Sequence, residues 1–183
     1  MRSTRGPVRA MAKRGRSDVR ARVVLGAATV PVGVVAGTFF AFAVSVMPSL
    51  STVDDKEFVE LMNKLNSSIQ TNRPFLLSFS GAFLLTGAAA FVHYRLGLRA
   101  AARWVLAALV LYLVSFAITI GVNMPLNVAL AKATLSDAAK ARAAFEGSWN
   151  AANNARTVAA MLALVCLTAA VSARRGAKPT VDS

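Results

Sequence analysis

Polar side chains are scarce in the longest apolar stretches of this chain, and four of them recur at helical spacing. Asn123 and Asn127 are four apart, Asn153 and Arg156 are three apart, and so each pair shares one face of a helix. Trp149 precedes the second pair by about one helical turn. Amides and a guanidinium donate hydrogen bonds, so this set suits the positioning and stabilising of an anionic oxygen, with Trp149 as an aromatic wall. Left against lipid, each group would cost a few kcal/mol, roughly. The two pairs are therefore expected to turn inward and bond one another. Asn66 and Arg73 are further candidates for the same cluster. A general base is harder to find. The apolar stretches contain no Asp or Glu, the single histidine is His93, and the single cysteine, Cys166, reads as buried and inert. Carboxylate proton relays, bis-histidine haem and three-histidine metal sites are excluded, and no cofactor or metal is expected.

These residues need a scaffold, and the composition says which kind. Of the 183 residues, 56% are hydrophobic and only 16% charged, yet the formal net charge is +13. A disordered chain is less hydrophobic, and a soluble domain carries about 25% charged residues. The apolar residues gather in four stretches, predicted as membrane spans over about 23–47, 74–96, 104–126 and 155–173. The expected fold is all-α, a four-helix transmembrane bundle over 23–173 flanked by a basic tail at 1–22 and a short tail at 174–183. With the N-terminus inside, cytoplasmic segments hold 14 Lys and Arg against 7 outside, and six of the eight acidic residues fall outside. Both termini are therefore expected in the cytoplasm, and the membrane is expected to be a plasma membrane of bacterial type. The basic tail has no aromatic residue to stack a base, so it reads as a topology determinant with affinity for anionic lipid rather than a nucleic-acid arm. The apolar run behind it is too long for a signal peptide.

Within the spans, Gly33 and Gly37 stand at the spacing that permits close helix approach, Pro31 predicts a kink, and Pro48 is expected to end the first span. His93, Tyr94 and Arg95 close the second span as snorkelling interfacial side chains. The outer segments predict two short amphipathic helices. One runs from about Asp54 to Gln70 with Thr52 and Asp55 as a capping box; the other is capped by Ser136 and ends near Gly147 to Asn150. Their apolar sides, Trp149 included, rest either in the lipid interface or on the bundle.

Three strings, taken together, carry a family resemblance: Phe39-x-Ala41-Phe42-x-Val44-x-Val46-Met47-Pro48, Val122-Asn123-Met124-Pro125-Leu126-Asn127, and Trp149-x3-Asn153-x2-Arg156-Thr157. The chain from about Gly33 to Ala170 resembles the anthrone-oxygenase-like integral membrane proteins, long described as a domain of unknown function. The resemblance implies that Asn123, Asn127, Trp149, Asn153 and Arg156 belong to a substrate-binding site, and that oxidation of phenolic anthrones to anthraquinones, without an evident metal or flavin, is the reaction in some members. The family commonly reads Trp-x-x-Trp-Asn-His-x-Arg in the last string, whereas positions 152 and 154 here are Ala and Asn.

Two functions fit. The preferred one is a non-enzymatic membrane protein, or one that binds a lipid or hydrophobic metabolite at a polar site on the outer ends of helices 3 and 4. The alternative is a cofactor-independent oxygenase acting on an anthrone-like aromatic substrate. Expected partners are membrane lipid, a hydrophobic small molecule and a second copy of the chain, with no nucleic acid. A transporter fits poorly, because four spans without intramembrane charge give it no coupling site.

Overall fold

In the computed structural model the backbone is described for residues 5–175 and side chains for residues 15–173. The ends of both predicted tails, 1–4 and 176–183, lie outside the described residues. Apart from short connections at 51–54, 72, 96–98 and 132–134, the described residues are helical. The elements are α1 (Arg5–Ala41), α2 (Met47–Leu50), α3 (Asp55–Thr71), α4 (Arg73–Arg95), α5 (Arg99–Ile118), α6 (Met124–Ala131) and α7 (Ala138–Arg175). Two wide π-turns, Phe42–Val46 and Thr119–Asn123, join α1 to α2 and α5 to α6, and a 3₁₀ turn at Leu135–Asp137 leads into α7. Four continuous helical stretches are long and apolar enough to cross a membrane: Gly15–Leu50, Arg73–Arg95, Arg99–Ala131 and Leu135–Ala173. Leu84, Val110 and Leu162 point outward from them, as a hydrocarbon surround permits.

The bundle closes in the order α1, α4, α5, α7, with α7 packing again on α1. Alanines dominate the buried faces: Ala28 and Ala36 on α1, Ala82 and Ala89 on α4, Ala101 and Ala108 on α5, Ala160 and Ala163 on α7. Small side chains let helix backbones approach, which in lipid supplies the packing that water would otherwise drive. The Gly33/Gly37 spacing is not used in this way. A methyl at Gly33 would make only an ordinary contact with Leu164 at 3.8 Å, and one at Gly37 would meet nothing. Gly97 ends α4 in the left-handed region at φ 72°, where its own N–H reaches Tyr94 O and that of Leu98 reaches His93 O. Two of the orphan carbonyls at the helix end are thereby satisfied.

Two predicted features of the segments between the spans are corrected. α3 is capped by Asp54, whose Oδ1 accepts from the N–H groups of Lys56 and Glu57, while the Thr52 hydroxyl donates to Ser49 O. The second of the two predicted amphipathic helices forms, but it does not stop at Gly147 to Asn150. It continues as the opening turns of α7, whose 38 residues extend about 57 Å, nearly twice a hydrocarbon core. No proline interrupts it, and one interior glycine costs only about 1 kcal/mol. α3 and the projecting turns of α7 together cap one end of the bundle. Phe145 and Trp149 are packed inside that cap rather than against lipid.

Pro31 is accommodated inside an unbroken α1, and the helix runs past Pro48 to Leu50. The wide turns explain how the helices pass Pro48 and Pro125. A proline clashes with the carbonyl four residues back and offers it no N–H. Both π-turns end two residues before a proline, ahead of Met47-Pro48 and Met124-Pro125, and the N–H of each Met reaches back five residues, to Phe42 O and Thr119 O. Wide turns of this kind recur at functional sites.

Candidate functional site

A polar layer divides the bundle into two apolar cores. On α7, Asn153 and Arg156 lie between Trp149, in the core under the cap, and Ala160, in the core of the membrane half. On the facing stretch, Thr119 and Asn123 lie between Tyr112 and Leu130, which belong to the same two cores.

Arg156 is the centre of this layer. Its side chain is 7% exposed and no carboxylate pairs with it among the described residues. Nε and Nη2 both donate to Asn153 Oδ1 at 3.1 Å, and Nη1 donates to the Thr119 hydroxyl at 3.4 Å. The guanidinium carbon sits 4.0 Å from the centroid of the Phe39 ring and 5.4 Å from that of Trp149. Of its five N–H groups three are thus engaged, leaving one on each Nη for a ligand. Neighbours fix its supports. Asn153 donates to Phe39 O at 3.3 Å, the Thr157 hydroxyl donates to Asn153 O, and Ser115 donates to Arg156 O across the α5–α7 seam.

The sequence-based expectation that the two polar pairs bond each other is replaced by a bridged arrangement. Asn123 Nδ2 donates to Trp149 O at 3.3 Å, and Trp149 Nε1 donates to Asn127 Oδ1 at 2.8 Å. The indole N–H is only a donor, so it fixes which end of the Asn127 amide faces it and turns the Asn127 NH₂ elsewhere. The sequence alone does not mark Thr119 or the Phe39 ring as part of the polar site. Thr119 is one turn before Asn123 and extends the 119, 123, 127 series, which is the signal that could have found it.

A cavity of about 250 Å³ adjoins this layer, walled by Phe39, Phe42, Phe75, Phe79 and Trp149 and by the polar groups of Asn66, Thr119, Asn127 and Arg156. Ligand pockets for drug-sized molecules span roughly 300–1,000 Å³. This one fits a compact ring system, or one end of something longer. Its exposed edge carries Gln70, Leu76 and Met124. Asn123 and Asn153 stand behind the wall as supports. Asn66 comes from α3 and does join the cluster; Arg73 is exposed at the start of α4 and does not. A wider groove of about 370 Å³ between α6 and α7 is walled by side chains such as Leu126, Leu130 and Phe145, and no unpaired buried atom points to it as a site.

Asn154, at the position where the family commonly has histidine, is exposed and lines a separate shallow groove beside Pro48 and Glu146. Histidine at that position would not face Arg156. His93 is not a snorkelling residue: it is fully buried, its Nδ1 2.8 Å from Ala89 O, while Tyr94 is 75% exposed. Among the described residues no cluster of His, Cys, Asp and Glu could ligate a metal.

No curated protein and no solved structure matches the chain. The sequence profile of the anthrone oxygenase family matches residues 75–166, half of the 183 residues, a segment that supplies both aromatic stacks of α4 and α5, the Thr119–Asn127 series and the Trp149–Arg156 face. By that match the chain belongs to the anthrone oxygenase family.

Proposed function

We propose that the cavity binds a flat hydroxylated aromatic molecule through its anionic oxygen and presents that anion to dioxygen, as in oxidation of an anthrone to an anthraquinone. The observation that carries this reading is a buried guanidinium, unpaired by any carboxylate among the described residues, opening onto an aromatic-walled space. A desolvated lone charge costs several kcal/mol, roughly, and stacking on a ring returns only about 2 kcal/mol. An anionic ligand completes the balance.

In the reaction, the anthrone methylene loses two hydrogens. One atom of O₂ becomes the ketone oxygen, and the other leaves with both hydrogens as water. The chain's part is to hold the anion. The two free N–H groups of Arg156 and the Asn127 amide face its oxygen, and Phe39 and Trp149 bracket the rings. No base stands in the wall, so the proton passes to water at the polar edge near Gln70. The excess of Lys and Arg at both ends of the chain supports cytoplasmic termini, which puts the cavity in the outer half of the membrane. A wall with no general base also favours a second reading, in which a hydrophobic metabolite is held without turnover.

The test uses purified protein in detergent, wild type and Arg156→Gln, with an anthrone probe and a neutral aromatic hydrocarbon of equal size. Loss of an anion-stabilising donor should lower oxygen uptake about 10²- to 10³-fold and weaken binding of the anionic probe while sparing the hydrocarbon. Tight binding with no oxygen uptake supports the second reading. Equal binding of both probes by the variant and the wild type refutes both.

A further inference from the structure

The anthrone oxygenase profile begins at residue 75, yet one wall of the cavity comes from before it. Asn66 on α3 is only 9% exposed, lines the cavity, and its Nδ2 has no hydrogen-bond partner. Buried amides are nearly always satisfied, and one left unpaired costs about 1–3 kcal/mol. An amphipathic helix has an easy way to avoid that cost, because Leu at this position is isosteric and would continue the apolar face of Phe58, Met62 and Ile69. The polar group is therefore present for something that is absent from the bare chain.

The other unpaired groups in the cavity have the same sense. Arg156 has one free N–H on each Nη, and Asn127 turns its NH₂ away from the indole that holds its oxygen. All three are donors, and they come from different elements: Arg156 from α7, Asn127 from α6, Asn66 from α3. A single anionic oxygen cannot use every one of them. We propose that Asn66 is a specificity-determining residue that donates to a second oxygen of the ligand, so that the site selects rings carrying two separated oxygen acceptors over rings carrying one. The inference rests on the anion-binding reading of the same cavity.

The test compares two probes of one ring size, 2-naphthol and 2,6-dihydroxynaphthalene, binding to full-length protein in detergent. A hydrogen bond of ordinary strength corresponds to about a five- to tenfold preference for the dihydroxy probe in wild type. Asn66→Leu should erase the preference, leave 2-naphthol affinity within about twofold, and raise the melting temperature of the unliganded protein, because an unsatisfied buried amide is removed. Asn66→Asp should erase it too, since a carboxylate donates nothing and repels the anion. Arg156→Gln should weaken both probes alike. Absence of a preference in wild type overturns the proposal, as does an equal loss of both probes in Asn66→Leu, which would mark Asn66 as merely structural. Failure of either probe to bind wild type, or indifference of both to Arg156→Gln, brings down the anion-binding reading itself; a flat Asn66 response with an intact Arg156 effect brings down only this one.

Discussion

Arg142 holds the cap to the bundle, and removing it gives a sharply local test of how the cavity wall is positioned. Its Nε donates to Glu146 at 2.7 Å; Nη1 donates to Val53 O at 2.8 Å and to Asp55 at 3.2 Å; Nη2 reaches Ser51 O at 3.3 Å and Leu50 O at 3.4 Å. The guanidinium also lies 4.5 Å from the Phe58 ring centroid. One side chain of α7 thus gathers the end of α2, the connecting turn and the first residues of α3. The two carboxylate contacts are partly solvated and contribute about 0–1 kcal/mol each. The short bond to Val53 O contributes about 1–2 kcal/mol, the two long ones less, and the ring contact about 0.5–1 kcal/mol. Arg142→Ala should therefore loosen the cap by about 2–4 kcal/mol, which is roughly a 30- to 700-fold faster exchange of α3 amides. Hydrogen exchange in detergent reads this directly, with α5 and the membrane half of α7 unchanged. Arg142→Lys should recover less than half, since one ammonium cannot span acceptors on three segments. Unaltered exchange in α3, or an equal acceleration in every helix, would refute the reasoning.

Trp149→Phe keeps a ring against Phe42 and Phe145 but removes the N–H that orients Asn127; it should cost about 1 kcal/mol of stability and a larger share of ligand affinity, measured by thermal melting and by probe titration. Pro125→Ala restores an N–H and removes the clash that holds the wide turn open. It should leave stability equal or higher while drawing Thr119 away from Arg156, and the check is a melting temperature that does not fall alongside weaker anion binding.

Much of this architecture is legible in the residues, for reasons that differ from place to place. Lengths of uncharged sequence give the crossing helices because hydrocarbon tolerates few charges, and the Phe58, Met62, Leu65 and Ile69 spacing gives α3 because its apolar face must be covered. All five candidate residues fall in or directly behind one cavity wall for the same reason, since polar groups on an apolar helix turn inward. The continuity of α7 is less legible. Gly147, Ser148 and Asn150 resemble a helix end locally, but packing of α7 along α5 outweighs their weak preferences. Thr119 bonds its own helix backbone at Ser115 O, so its place in the 119, 123, 127 series is the one signal that its lone pair serves Arg156. His93 resembles an interfacial residue by position, and only the course of its helix places it inside.

The wide turn at Thr119–Asn123 sets the phase of everything after it. A π-turn holds one residue more than an α-turn, so its five residues wind the chain through nearly the angle that four cover in an α-helix. A chain shortened by one residue between 119 and 123 could therefore close into continuous α-helix with Asn127 and Leu130 near their present directions, whereas one shortened by a residue in the regular part of α5 would rotate all that follows by about 100° and swing Asn127 off the Trp149 indole. Single-residue deletions should thus be tolerated within the wide turn and ruinous for the site just before it, with membrane insertion intact in both.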